Sequence, residues 1–228
     1  MNPWDKIFEK KIDEALKIAD DNYKSNGQKF DLIARAKCHL ILGNYQMALT
    51  DFLSILELDK KVGSLSDDTF MNIGLSYYAI SDFNNAKEYF KYPVTKPGKI
   101  KYTTGIFRPS SILYFIALKL NDEKLLKIAQ KDMTKRKLLV HDYLLDSIDE
   151  SSLNVDLKKE DNTILLNRKS CVYEFYKAVS SLKNKDNYGF EKHIAETVKL
   201  EGRFLEYEYY IAKIELEKIT VANTIYSK

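Results

Sequence analysis

Two stretches of this sequence repeat one pattern: Cys38–Asp59 reads CHLILGNYQMALTDFLSILELD, and Asn72–Tyr92 reads NIGLSYYAISDFNNAKEYFKY. They align at an offset of 38 residues, which places Ala48 on Ala86. In both stretches, apolar residues recur at helical spacing on either side of a short polar turn. The pattern predicts two hairpins, each made of two antiparallel helices.

Small side chains stand where the two helices of each hairpin would have to approach closely. Ala36 and Ala48 hold these positions in the first hairpin, and Gly74 and Ala86 hold them in the second. A large aromatic side chain there would push the paired helices apart. We therefore expect direct helix–helix packing at all four positions.

At these positions the chain resembles the tetratricopeptide-repeat family, whose units recur about every 34 residues. The resemblance covers about residues 30–92. The residues that carry it are Gly43, Tyr45, Ala48, Phe52, Leu56, Leu58 and Asp59 in one unit, and Asn72, Ile73, Gly74, Tyr77, Asp82, Phe83, Ala86 and Phe90 in the other. Three residues depart from the pattern: Lys60 stands where a repeat usually ends in proline, Arg35 occupies a usually apolar position, and Pro93 interrupts the second return helix.

The resemblance implies a non-catalytic module that binds a protein or peptide on a concave helical face. Side chains such as Lys37, Asn72, Ser76 and Tyr77 would line that groove. The segments ILYFIALKLNDEKLLKIAQ and YKAVSSLKNKDNYGFEKHIAE are similar to helical immunity proteins. That second similarity implies a bacterial toxin domain as the partner, and an adaptor or regulator that binds a peptide is the alternative.

Glycine and proline are scarce across the whole chain. Eight Gly and four Pro make up about 5% of the 228 residues, against about 12% in an average soluble protein. Sandwiches and barrels need a turn every 8–12 residues, so the composition disfavours them. It favours an all-α fold, and the periodic segments predict about eleven helices.

The domain organisation is predicted from the positions at which apolar residues no longer recur at helical spacing. Residues 1–92 would hold one leading helix and the two hairpins, and residues 109–228 a more divergent helical half with a polar connection near 149–162. A loop over residues 93–108 would join the halves. With only two clear repeats, we expect the second half to pack on the first as one continuous domain.

Two helix boundaries are predicted in the second hairpin. We expect Asp67 or Asp68 to cap its first helix, because aspartate accepts from free backbone N–H groups. We expect Pro93 to cut its return helix short, because proline lacks the N–H group and clashes with the preceding turn.

Charge and cysteine content exclude several classes of protein. The net charge is only +3, and five of the 36 basic residues are arginine, so extensive nucleic-acid reading is disfavoured. The two cysteines lie far apart and fit a reducing, cytoplasmic setting. The N-terminal residues MNPWDKIFEK lack the apolar core of a signal peptide, and no apolar run is long enough for a membrane span.

The segment of residues 91–108 has the strongest local signal for binding. It contains cations and aromatic residues with no acidic residue, and two prolines and two glycines predict a long loop. Its candidate contact residues are Lys91, Lys96, Lys99, Lys101, Tyr102, Phe107 and Arg108. Three interpretations are open: a solvated loop whose aromatics pack on the helices, a surface for an acidic protein, and a grip on single-stranded nucleic acid.

Two further segments carry weaker signals. The run FLEYEYYIAKIELE offers Tyr207 and Tyr210 either as partner contacts or as helix-packing residues. The basic stretch Lys124–Lys137 is interpreted as a solvated helix face or as a second contact for nucleic acid.

Catalytic and metal-binding patterns are poorly supported. The pair His141 and Asp142 lacks the further ligands that a metal phosphohydrolase needs, and the spacing of His193 and Glu196 occurs once where a dimetal bundle needs two copies. His39 is interpreted as a packed histidine. We therefore expect no enzyme activity, no metal and no cofactor.

Overall fold

The computed structural model describes residues 1–101, 109–199 and 205–226. Within those ranges the chain forms thirteen α-helices, one short 3₁₀ helix and no strand. The predicted all-α fold is confirmed. Contacts divide the chain into two compact units, Met1–Ile106 and Phe107–Lys228. The division falls inside the predicted joining segment, and the expectation of one continuous domain stays a prediction.

The first unit contains six α-helices and the 3₁₀ helix. They are α1 (Pro3–Phe8), α2 (Ile12–Asn26), α3 (Lys29–Ile41), α4 (Tyr45–Lys61), α5 (Asp67–Ala79), α6 (Phe83–Thr95) and the 3₁₀ helix Pro97–Lys99. From α1 to α6, each α-helix packs on the one before it in the chain. The two predicted hairpins are therefore present as α3–α4 and α5–α6.

The turns of the two hairpins share a backbone conformation. Gly43 and Ser81, which the alignment pairs, have positive φ angles of 78° and 64°. This left-handed conformation suits glycine, and serine adopts it at an energetic cost. The two turns therefore agree in backbone conformation as well as in their position between apolar stripes.

Gly74 of α5 lies close to Phe90 of α6. A Cβ atom added to Gly74 would lie 2.9 Å from Cδ1 of Phe90, and Phe90 is fully buried. Ala36, Ala48 and Ala86 are fully buried as well. These observations confirm that small residues permit the close packing.

The second hairpin differs from the prediction at both of its ends. Ser66 caps α5, because its side chain accepts a hydrogen bond from the Thr69 N–H group, while Asp67 lies in the first turn. Helix α6 continues through Pro93 to Thr95. Pro93 stands near the end of the helix and is buried, so it removes a single helical hydrogen bond while its ring packs in the core.

The described part of the predicted loop is ordered rather than irregular. After α6, the 3₁₀ helix leads to Lys101, whose N–H group donates to the Leu65 carbonyl at 2.9 Å. In return, the Asp67 N–H group donates to the Lys101 carbonyl at 3.1 Å. These two hydrogen bonds attach the basic segment to the start of α5.

Two other expectations are corrected. The single leading helix is two helices, α1 and α2, separated at Lys10, whose φ angle is 61°. The polar connection contains a helix, Glu150–Lys158, which begins because the Asp149 side chain accepts from the Ser152 N–H group. Polar capping residues mark this helix better than apolar spacing does.

The second unit contains seven α-helices. They are α7 (Pro109–Lys119), α8 (Glu123–Arg136), α9 (Leu139–Leu144), α10 (Glu150–Lys158), α11 (Thr163–Lys183), α12 (Asn187–Lys199) and α13 (Tyr207–Tyr226). Helix α11 is central, since it contacts α7, α9, α10, α12 and α13. Phe115 and Phe175 meet edge to face in its core, with ring centroids 5.3 Å apart. Among the described helices, none combines the length and the apolar character that crossing a bilayer requires.

Candidate functional site

The basic segment presents three lysines on a fixed backbone. Lys96, Lys99 and Lys101 are exposed, and none of them forms an ion pair with a described residue. Lys91, the first predicted contact, lies on α6 and pairs with Glu88 at 3.2 Å. Within residues 91–101, the cations without an ion pair to a described residue are therefore Lys96, Lys99 and Lys101.

The aromatic part of this prediction is only partly tested. Tyr102, Phe107 and Arg108 lie outside the described residues. Tyr92 stacks on Phe70 with ring centroids 4.3 Å apart and an interplanar angle of 5°. One face of the Tyr92 ring is therefore covered by the protein itself.

The predicted concave groove is filled mainly by contacts within the chain. Asn72 is fully buried, and its Oδ1 atom accepts a hydrogen bond of 2.8 Å from Lys37 Nζ. Ser76 is buried too. Tyr77 is half-buried and stacks on Tyr89 with centroids 5.4 Å apart. Lys37 and Tyr77 are the members of this set that reach the surface.

The candidate tyrosines of the C-terminal helix lie inside the second unit. Tyr207 and Tyr210 are 4% and 2% exposed. This burial favours the packing interpretation over direct contact with a partner.

A cavity of about 580 Å³ lies between α2, α3 and α4. Charged and polar side chains from all three helices line it. They are Asp13, Lys17 and Asp20 of α2, Arg35 and His39 of α3, and Asp51 of α4. The sequence does not single out this group as a site.

Arg35 lies between two carboxylates in this cavity. Its Nε and Nη2 atoms donate to Asp51 at 2.9 and 2.7 Å, and Nη1 donates to Asp20 at 2.8 Å. The hydrogen bonds with Asp51 raise the pKa of the Arg35 guanidinium. The pKa of Asp20 is lowered by hydrogen bonds from Lys24 and Arg35. Arg35 and Asp20 are therefore charged at neutral pH.

His39 lies one helical turn from Arg35 and lines the same cavity. It is 6% exposed, which confirms that it is a packed histidine. Burial lowers its pKa below 6.5, so the ring is neutral at pH 7. Its Nδ1 atom is buried without a hydrogen-bond partner among the described residues. A buried polar atom without a partner is costly and calls for a specific explanation.

Arg35, which departs from the repeat pattern, and the packed His39 thus line the same cavity. The sequence marks Arg35 only as a departure from the family pattern. The carboxylates that pair with its positive charge come from α2 and α4, the helices before and after α3. A signal is present in the sequence, since Asp20 and Asp51 stand on the two helices flanking α3. Pairing them with Arg35 requires knowing how the three helices pack.

The other histidines have local partners in the second unit. Nε2 of His141 lies 3.4 Å from Ser110 Oγ, and both residues are buried. His193 Nδ1 lies 2.9 Å from Glu174. Among the described residues, no group of three or more His, Cys, Asp or Glu side chains is arranged to hold a metal ion.

Comparison with protein-family models gives no match for this chain. A search of curated proteins likewise gives no match.

Proposed function

We propose that this protein is a non-catalytic helical module that binds a protein partner through an acidic segment of that partner. The observation that carries the proposal is the group of three exposed lysines, Lys96, Lys99 and Lys101, which form no ion pair with a described residue. We refer to them as the lysine cluster.

The backbone that bears the lysine cluster is already fixed. Lys101 exchanges two backbone hydrogen bonds with the segment before α5, and the Lys99 N–H group donates to the Lys96 carbonyl at 3.0 Å. A fixed backbone loses less conformational entropy on binding than a free loop does. Unpaired lysines also attract an oppositely charged partner over distance and increase the association rate.

An acidic protein fits the lysine cluster better than single-stranded nucleic acid does. Nucleic-acid grooves combine cations with aromatic rings whose faces are free to stack on bases. Here Phe70 already covers one face of the Tyr92 ring, and only five of the 36 basic residues of the chain are arginine. The similarity to immunity proteins makes a toxin domain the first partner class to test.

The test reverses the charge of the lysine cluster. We expect the Lys96→Glu, Lys99→Glu and Lys101→Glu triple variant to lose the partner recovered from the native source with tagged wild-type protein. The recovered chain is identified by mass spectrometry, and far-UV circular dichroism and thermal melting should be unchanged, because the three side chains are exposed.

Helix α8 supplies a matched control. Lys124, Lys127 and Lys131 are exposed and form no ion pair with a described residue, so their reversal to Glu changes the net charge equally. We expect this control to keep the partner. The proposal would be contradicted if both triple variants lost the partner equally. It would also be contradicted if the lysine-cluster variant recovered as much partner as the wild type. Tighter binding of a labelled oligothymidylate than of a Glu-rich peptide would contradict it as well.

A further inference from the structure

The cavity between α2, α3 and α4 is separate from the lysine cluster and from the predicted groove. Arg35 and His39 line it, whereas Lys37, also on α3, donates to Asn72 of α5. Two residues along an α-helix correspond to a rotation of about 200°. The cavity therefore lies on the opposite side of α3 from the predicted groove, and a ligand bound in it would be independent of the proposed function.

The size and the apolar parts of the cavity suit a small organic molecule. Its volume of about 580 Å³ lies within the range of about 300–1,000 Å³ that is typical of ligand pockets. Leu16, Met47 and Thr50 contribute apolar surface, and Met47 is 56% exposed. An exposed methionine side chain adapts readily to the shape of an apolar ligand.

The cavity lining carries charges of both signs before any ligand enters, with Asp13, Asp20 and Asp51 against Lys17 and Arg35. Asp51 and Asp20 both hold Arg35, and Lys24 pairs with Asp20 at 2.5 Å. Asp13 and Lys17 add one charge of each sign. An anion would meet three carboxylates, and a cation would meet Lys17 and the guanidinium, so either one would be repelled by part of the lining.

The Arg35 guanidinium can nevertheless donate further hydrogen bonds. A guanidinium has five N–H groups, and three of those on Arg35 are used by Asp20 and Asp51. Two N–H groups are left on a side chain that is 20% exposed. They can donate to a neutral acceptor such as a carbonyl oxygen, while the neutral His39 ring adds no charge.

We propose that this cavity binds a small uncharged organic molecule, with an apolar body against Leu16 and Met47 and an oxygen acceptor that receives an N–H group of Arg35. The ligand class is therefore defined by neutrality, an apolar body and one acceptor.

Three probes of nearly equal shape test the charge of the ligand. Benzamide is neutral with a carbonyl acceptor, benzoate is an anion and benzylamine is a cation. The chain has four methionines, so the labelled methyl group of Met47 is a resolved NMR reporter. Met71 and Met133 are fully buried and serve as internal references.

We expect benzamide to shift the Met47 methyl resonance saturably, with the references unmoved. Benzoate and benzylamine should bind about tenfold more weakly, which corresponds to about 1.4 kcal/mol. The proposal is overturned if either charged probe binds as tightly as benzamide. It is also overturned if no probe gives a saturable shift up to its solubility limit.

A pair of variants on α4 tests the location. Thr50 lines the cavity, and Ser54 lies one turn further along and does not. Both are exposed, and each hydroxyl donates to the carbonyl four residues earlier. Thr50→Trp should abolish the benzamide shift, and Ser54→Trp should preserve it. Binding that survives Thr50→Trp contradicts the assignment. The three-probe comparison needs no variant and decides the proposal even if Thr50→Trp fails to fold.

Discussion

Arg35 stabilises the first unit through its ion pairs with the carboxylates of Asp20 and Asp51. Asp51 is 5% exposed, and the two hydrogen bonds from Arg35 satisfy both of its oxygens. We expect Arg35→Met to lower the free energy of unfolding by about 3 kcal/mol, because Asp51 would remain buried with its charge uncompensated. Urea unfolding followed by circular dichroism measures the change.

The double variant Arg35→Met with Asp51→Leu separates the cost of a stranded charge from the loss of the pair. Replacing both partners by apolar groups removes the buried charge altogether. The double variant should therefore recover most of the lost stability. If it is as unstable as Arg35→Met, burial of an unpaired carboxylate is not the cause.

At the residue scale, the sequence predicts burial better than it predicts partners. The prediction that His39 is packed is confirmed. The ion pairs of Arg35 join residues 15 and 16 positions apart on three helices. Such pairs depend on helix rotation and spacing, which an apolar stripe fixes only approximately. Tyr207 and Tyr210 illustrate the same limit, because acidic and aromatic neighbours do not reveal which side of α13 is buried.

Replacing Gly74, in the contact between α5 and α6, by alanine has two opposing effects on stability. Replacing a helical glycine by alanine normally stabilises a helix by about 1 kcal/mol. Here the new Cβ would lie 2.9 Å from the fully buried ring of Phe90. Because the buried ring would have to move, we expect Gly74→Ala to destabilise the protein by about 1–3 kcal/mol, as overpacking does. Thermal and urea unfolding measure the sign.

A second substitution, at Phe90, tests whether the close contact with its ring causes the loss of stability. Phe90→Leu removes ring atoms from the contact, so it should cost less stability in the Gly74→Ala background than in the wild type. Equal costs in both backgrounds would show that the two positions are independent. An increase in stability for Gly74→Ala alone would show that helix propensity outweighs the close approach.

At the element scale, periodic helices are predicted well and their ends poorly. The hairpin helices follow from apolar residues at helical spacing and from turns at Gly43 and Ser81. The sequence misses the passage of α6 through Pro93, because the rule against proline weakens near a helix end where few hydrogen bonds remain to be lost. It misses Glu150–Lys158 because Leu153 is that helix's one buried residue.

At the scale of the whole molecule, the two units contain buried titratable groups with opposite pH dependence. In the second unit, burial and the nearby Glu206 raise the pKa of Glu208 to about 8, although Tyr176 donates to its Oε1 atom at 2.9 Å. In the first unit, burial lowers the pKa of His39. A folded state that binds an extra proton loses stability as pH rises, and one that binds fewer protons gains stability.

Raising the pH from 5 to 8 should therefore destabilise the second unit and stabilise the first. Glu208 contributes its full stabilising effect below pH 4.5, and this contribution falls as the pH rises from 4.5 to about 8. The free energy of unfolding falls over that range by no more than about 1.4 kcal/mol per pH unit. His39 acts in the other direction up to pH 6.5. Hydrogen exchange of peptides from α3–α4 and α11–α13, corrected for the intrinsic pH dependence of exchange, measures each unit separately. Glu208→Gln should flatten the profile of the second unit and His39→Gln that of the first, because neither amide titrates. Parallel changes in both units would contradict this assignment of the two groups.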